Sequence, residues 1–202
     1  MAQLTIGGII TGGISIGFKN LPSVLGAMVL WLATIWIPYL NVGTTIAVTC
    51  GLVASMSRGE QFSPTEIFNA RYRQYMGDYF LLVAILSIAV PVGFIFVVIP
   101  GVIIALAWSQ SCYLLVDKGL SPMECLTDSN RITFGHKWTI FFSLVALKII
   151  LFGAAAVLLV SFDRLPAAVV CAPVYLIAVS IIVGTAAYIY GALTHQSADA
   201  SE

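Results

Sequence analysis

No charged residue lies between Asp78 and Asp117. A run of that length without Asp, Glu, Lys or Arg has no means of facing water, and it is too long for one membrane-spanning helix, which takes about 20 residues. It is expected to fold as a helical hairpin over 79–116. The turn signals inside it are Pro91 and the Pro100-Gly101 pair, so the break is expected between Pro91 and Gly101. Irregular backbone exposed to lipid is costly, so that turn should be covered by protein or reach the far interface. Composition extends the same conclusion to the whole chain. Of its 202 residues 60% are hydrophobic and 9% are charged, against about a quarter charged in a soluble domain. The expected class is an all-α integral membrane protein. Net charge is zero, so nothing electrostatic points to a nucleic-acid partner.

The polar stretches are spaced regularly. Ser63, Pro64, Glu66, Arg73 and Gly77 recur as Ser121, Pro122, Glu124, Arg131 and Gly135, an offset of 58 residues at every position. One further step back falls on Thr5, with Lys19 where the glycines stand. Each stretch precedes a long apolar run. In both Ser-Pro-x-Glu motifs the Ser reads as an N-cap, Pro as the first helical residue, and Glu three positions after Ser as the partner of a capping box. The expected architecture is six transmembrane helices arranged as three hairpins, each preceded by an interfacial amphipathic helix. It forms a single membrane domain, 1–195, of pseudo-repeats 5–62, 63–120 and 121–195, with a disordered tail over 196–202.

Taken in order, 5–18 is too short to span a bilayer and is expected to lie at the interface. Its Gly8, Gly12, Gly13 and Gly17 make two GxxxG spacings that let another helix approach closely. These glycines, with the small residues Gly153 to Ala156, suggest a homo-oligomer. Asn20 is placed to cap the first span, 21–37, and Pro38 to Gly43 forms a turn into the return span, 42–56. This hairpin is short enough to need a thinned membrane or to stop before the far interface. Two longer arms, 138–162 and 167–190, meet at Asp163, Arg164, Leu165 and Pro166. The N-terminal 20 residues lack a basic leader and do not read as a cleaved signal peptide. Cys50, Cys112, Cys125 and Cys171 form no CxxC pair and read as buried thiols.

Basic residues set the orientation. Lys19, Arg58, Arg71, Arg73, Lys118, Arg131 and Lys137 share one side of a six-span arrangement, and Arg164 alone lies on the other. The positive-inside rule then puts both termini and the three surface helices in the cytoplasm.

The stretch from Pro100 to Trp138 carries a family likeness. A Pro-Gly pair (Pro100, Gly101) is followed by a span ending near Asp117. A Ser-Pro-x-Glu helix follows, with Ser121 and Glu124, then Ser129 and Arg131. The pattern closes on Gly135, His136 and Trp138. It resembles the membrane domain of the membrane-anchored glycerophosphoryl diester phosphodiesterases and related uncharacterised bacterial membrane proteins. The resemblance implies a six-span layout in a bacterial inner membrane. It implies no catalytic activity, because those enzymes' catalytic domain has no counterpart in these residues.

Residues suited to chemistry are few. Two histidines are present, His136 and His195, and no Ser-His-Asp set, HExxH, paired carboxylates or phosphate loop is recognisable. The expectation is a protein that is not an enzyme and uses no cofactor or metal. Lys148 is the sharpest single residue, since it falls about ten residues into the fifth span. An ionisable group there reads as part of a pathway or an anion site, or else as a side chain snorkelling to the interface. The spans offer it no acid, so its partners would be neutral groups such as Gln110, Ser109, Ser111, Thr44, Thr45 or Thr49. Arg71, Arg73, Arg131, His136 and Lys137 are placed to touch lipid head groups, with anionic lipids as the expected partners. Two functions fit: a channel or transport pathway for an unknown solute, lined by Lys148, or a scaffold that organises lipids through its surface helices.

Overall fold

The structure, a computed structural model, describes residues 4–96, 98–161 and 167–199, and all regular structure within them is helical. The expected turn at Asp163 to Pro166, the Cys171 side chain and the last residues of the tail lie outside what is described. Ten α-helices are seen among the described residues: α1 (Ile6–Lys19), α2 (Leu21–Thr34), α3 (Pro38–Ile46), α4 (Leu52–Ser57), α5 (Met76–Phe96), α6 (Val98–Ala107), α7 (Ser111–Lys118), α8 (Pro122–Ile132), α9 (Lys137–Ser161) and α10 (Ala167–Asp199). A π-helical turn, Ala47–Gly51, joins α3 to α4, and two 3-10 turns, Pro64–Phe68 and Ala70–Tyr75, lead into α5. Five stretches are long and apolar enough to cross a bilayer, or six if the bent pair α1–α2 counts as one span.

The longest helix, α10, is the common wall. Tyr190, Ile189 and Leu193 belong to one buried cluster, built with Leu82, Leu106 and Ile140. Ala187, on the same helix, belongs to a second cluster, with Val24, Ile46, Leu52 and Tyr72. Against α10 lies α1, running antiparallel: Gly17 faces Ile181, Gly13 faces Thr185, and Gly8 and Gly12 sit beneath Tyr188. A methyl group on Gly17 would come within 2.8 Å of the Ile181 Cα, and Ser180 Oγ donates to the Gly17 carbonyl at 2.7 Å. The GxxxG pattern thus serves close packing within the chain. This segment forms one half of an intramolecular helix pair.

Asn20 works on the other helix from the one expected. Its side-chain amide donates to the Ile16 carbonyl at 3.0 Å and closes α1, while α2 starts with no side-chain cap. The two helices meet there at 66°. At 14 residues, α2 is about 21 Å long, short of a full crossing. Its turn falls at 35–37, so Pro38 opens α3 rather than the turn. Across this pair Trp31 Nε1 donates to Thr45 Oγ1 at 2.9 Å, and the Thr34 and Thr44 hydroxyls bond at 2.9 Å.

The central hairpin breaks inside the expected stretch, between the end of α5 at Phe96 and the start of α6 at Val98, but neither proline signal makes the break. Helix α5 continues through Pro91 to Phe96, and Pro100-Gly101 lies in the first turns of α6. Proline is tolerated there because its missing N–H has no intrahelical partner to lose. Gly101 is packed under the Phe94 ring, and a Cβ on Gly93 would come within 3.0 Å of the Gly101 Cα. The pair therefore permits close helix contact and does not make the turn. Between α6 and α7 the helix unwinds at Trp108 to Gln110, and Ser111 N reaches Trp108 O instead of Ala107 O. The released Ala107 carbonyl accepts from Ser129 Oγ at 2.7 Å and Thr133 Oγ1 at 3.4 Å. Helix α8 packs antiparallel on α7 to bring those hydroxyls there.

The three expected surface helices differ from one another. Only 121–132 is an α-helix closed at its start by Ser and Glu, the Glu124 carboxylate accepting from Ser121 N at 3.0 Å and Ser121 Oγ at 2.7 Å. The 63–75 segment is two 3-10 turns with no side-chain cap from Ser63. The tail also departs from expectation, because α10 continues to Asp199 and the chain is helical well past His195.

Candidate functional site

One place gathers polar side chains against an apolar background, and a second sets a single lysine at the end of an apolar groove. The first lies where α4, the 3-10 turns, α7 and α10 converge. Arg58 follows the last turn of α4 and forms ion pairs with Asp117 of α7 and, at 2.9 Å, with Glu60. Asp117 also accepts from the Tyr190 hydroxyl at 2.7 Å. Arg71 pairs with Glu66, donates to the Tyr72 hydroxyl at 2.7 Å, and lies over the Tyr72 ring. Of these groups Arg58, Asp117, Arg71 and Tyr72, with Ser55 and Tyr75, border a cavity of about 400 Å³. The Glu60 hydrogen bond leads in raising Arg58 above its ordinary pKa, and the same contact holds Glu60 below the usual carboxylate value. Every carboxylate here has an arginine and both arginines have carboxylates, so the cluster fastens four elements together and leaves little charge unbalanced for a ligand.

Arg58, Asp117 and Tyr190 were not among the sequence candidates. A signal existed: Arg58 ends the uncharged run that begins at Asn20, Asp117 ends the one that begins at Tyr79, and both open on the same side. Two opposite charges at neighbouring mouths of apolar runs are a natural ion pair.

The second place is the contact between α9 and α10. Lys148 is exposed and stands at one end of a groove of about 510 Å³. Leu151, Phe152, Ala155 and Leu159 line it from α9, and Val174, Ala178, Val179 and Ile182 from α10. From the start of α9 at Lys137, Lys148 is 11 residues along the helix, about 16 Å at 1.5 Å per residue. That is about half the thickness of a bilayer's hydrocarbon core. No carboxylate pairs with it among the described residues.

Gln110 does not join this groove. It is buried at the α6–α7 break, where its Nε2 donates to Ser109 Oγ at 2.8 Å and its backbone N–H to Ser129 Oγ at 3.2 Å. Its Oε1 has no hydrogen-bond partner among the described residues. Thr44 and Thr45, also named as neutral partners, bond to α2 instead. Of the basic surface residues, Arg71 is held by Glu66 and Arg131 by Asp128 at 3.1 Å. Lys137 Nζ donates to Asn130 Oδ1 at 2.8 Å, and Arg73 lies over the Tyr39 ring at 5.7 Å. His136 is half-buried between α8 and α9. Gly8, Gly12, Gly13 and Gly17 all face α10 of the same chain, whereas Gly153, Ala154 and Ala156 are exposed on α9.

The length and apolar character of these helices define a multi-pass helical membrane protein. No protein-family model, curated protein or solved structure matches the chain.

Proposed function

We propose that this is a non-enzymatic transport protein of a bacterial inner membrane, both termini cytoplasmic, whose solute passes Lys148. The likeness of Pro100 to Trp138 to the phosphodiesterase membrane domain is part of the proposal, and it supports a layout and not a reaction. The observation that carries the reading is Lys148 itself: a cation halfway along a span, without a carboxylate partner among the described residues, at the end of an apolar groove. A charge in that position costs several kcal/mol unless something compensates it, and a bound anion is the compensation a transport path supplies. The groove opens sideways between two helices, so the solute enters from the bilayer. Self-association through the exposed small residues Gly153, Ala154 and Ala156 would enclose the path further.

The test is reconstitution of the full chain in vesicles. Movement of phosphate, chloride and a fluorescent single-chain anionic lipid is followed for the protein and for Lys148→Gln. The expected result is movement above protein-free vesicles for at least one probe, reduced tenfold or more in the variant. Movement equal to protein-free vesicles for every probe, or equal in the variant, overturns the reading.

A further inference from the structure

We infer that the α9–α10 groove seats a single-chain amphiphile, its acyl chain along the groove and its anionic head group on Lys148. This deepens the transport reading and rests on it only for the movement of the ligand. Three observations support the occupant. The groove is amphipathic in the way such a molecule is: Lys148 stands at one end, and the wall beyond it is apolar from Leu151 to Leu159, opposite Ile182 to Val174. From Lys148 to Leu159 is 11 residues of helix, about 16 Å, the depth of one leaflet's hydrocarbon. The volume of about 510 Å³ matches the size of one acyl chain.

Small residues make the space. Ala155 on α9 and Ala178 on α10 face the groove where bulkier side chains would close it, while Phe152 and Tyr175, both exposed, stand at its rim. Charge selects the head group. Lys148 has no ion pair among the described residues and no acid shares the groove, so an anionic head supplies the counter-charge that the chain withholds. The head group's depth also bears on function. A lipid at rest in either leaflet keeps its head at an interface, so a head group held at Lys148 is one in transit.

Binding to the purified full chain in nanodiscs tests this. The probes are fluorescent lysophosphatidic acid and the neutral monoacylglycerol of equal chain length. The wild-type protein is expected to bind the anionic probe at least tenfold more tightly than the neutral one. Lys148→Gln should abolish that preference and Lys148→Arg should keep it. Ala155→Phe, a change at a membrane-facing position, should weaken both probes tenfold or more by filling the groove. Equal affinity for the two probes in the wild type, or full binding in Ala155→Phe, overturns the inference. So does two-chain phosphatidic acid competing as well as the single-chain probe, or a second copy of the chain displacing the probe. Binding as described without movement in vesicles would sink the transport reading and leave this site standing. Movement of small anions with no probe preference would do the reverse.

Discussion

Two segments of this chain share a skeleton and fold differently. Ser63, Pro64, Glu66, Arg73 and Gly77 repeat as Ser121, Pro122, Glu124, Arg131 and Gly135. In the second copy Glu124 turns back onto Ser121 and an α-helix follows. In the first, Glu66 turns forward to Arg71, and the backbone forms two 3-10 turns separated at Asn69, whose Oδ1 accepts from Arg71 N at 3.0 Å. The residues between the shared positions decide the outcome. Where the first copy has Arg71 and Tyr72, the second has Ser129 and Asn130. Arg71 offers Glu66 a charged partner that Ser129 cannot offer Glu124, and Tyr72 offers a large ring to bury. A capping motif therefore sets a helix only when no stronger partner competes for its carboxylate.

The largest expected effect separates Tyr72 from Asn130. Tyr72 is fully buried against Gly51 in the π-helical turn, while Asn130 is exposed. Tyr72→Ala should cost about 3–5 kcal/mol, as other large buried rings do when truncated. Asn130→Ala should stay within about 0.5 kcal/mol. Unfolding of the two variants in mild detergent measures both, and equal losses would show that the segments are packed alike.

The glycines make the next pair. Gly135 has a φ of +82° at the join of α8 to α9, a left-handed conformation that costs a side chain about 1–2 kcal/mol. Gly77 lies inside α5 with nothing near a would-be Cβ. Gly135→Ala should therefore destabilise by about 1–2 kcal/mol, and Gly77→Ala should stabilise by about 0.4–1 kcal/mol. Thermal midpoints of the two variants should move in opposite directions. The same sign in both would mean that the repeat is conformational as well as sequential.

This contrast marks what the sequence could disclose. The uncharged runs announce membrane helices because lipid tolerates little else, and the offset of 58 residues locates the polar joints between them. The Ser121 helix was legible since its cap is local. The bonding of Ser129 to Ala107 spans 22 residues, and that of Tyr190 to Asp117 spans 73. No local pattern carries contacts of that range. The α1–α10 pair was half visible: the GxxxG spacing announces a close partner, but Gly184 and Ser180, which receive it, are at the other end of the chain. Lys148 stood out for its depth in an apolar run, while the groove beside it depends on how α9 and α10 pair.

The carboxylates give the two smallest effects. Glu66 and Arg71 are partly exposed, so Glu66→Gln should cost no more than about 1 kcal/mol, read as a modest fall in thermal midpoint. Glu124 is the finer test. Its bonds from the Ser121 side chain and backbone hold its pKa below the ordinary 4.5. A carboxylate so lowered lends stability that is complete above its unfolded value and is lost as pH falls through the folded one. Glu124→Gln should thus sit slightly below wild type at neutral pH, and the gap should close as the medium is acidified from 4.5 downward. Hydrogen exchange in the first turn of α8, measured on both proteins across that range, follows the gap directly. No gap at neutral pH would mean that Ser121-Pro122 starts this helix without its glutamate. The difference between the two segments would then lie wholly in Arg71 and Tyr72.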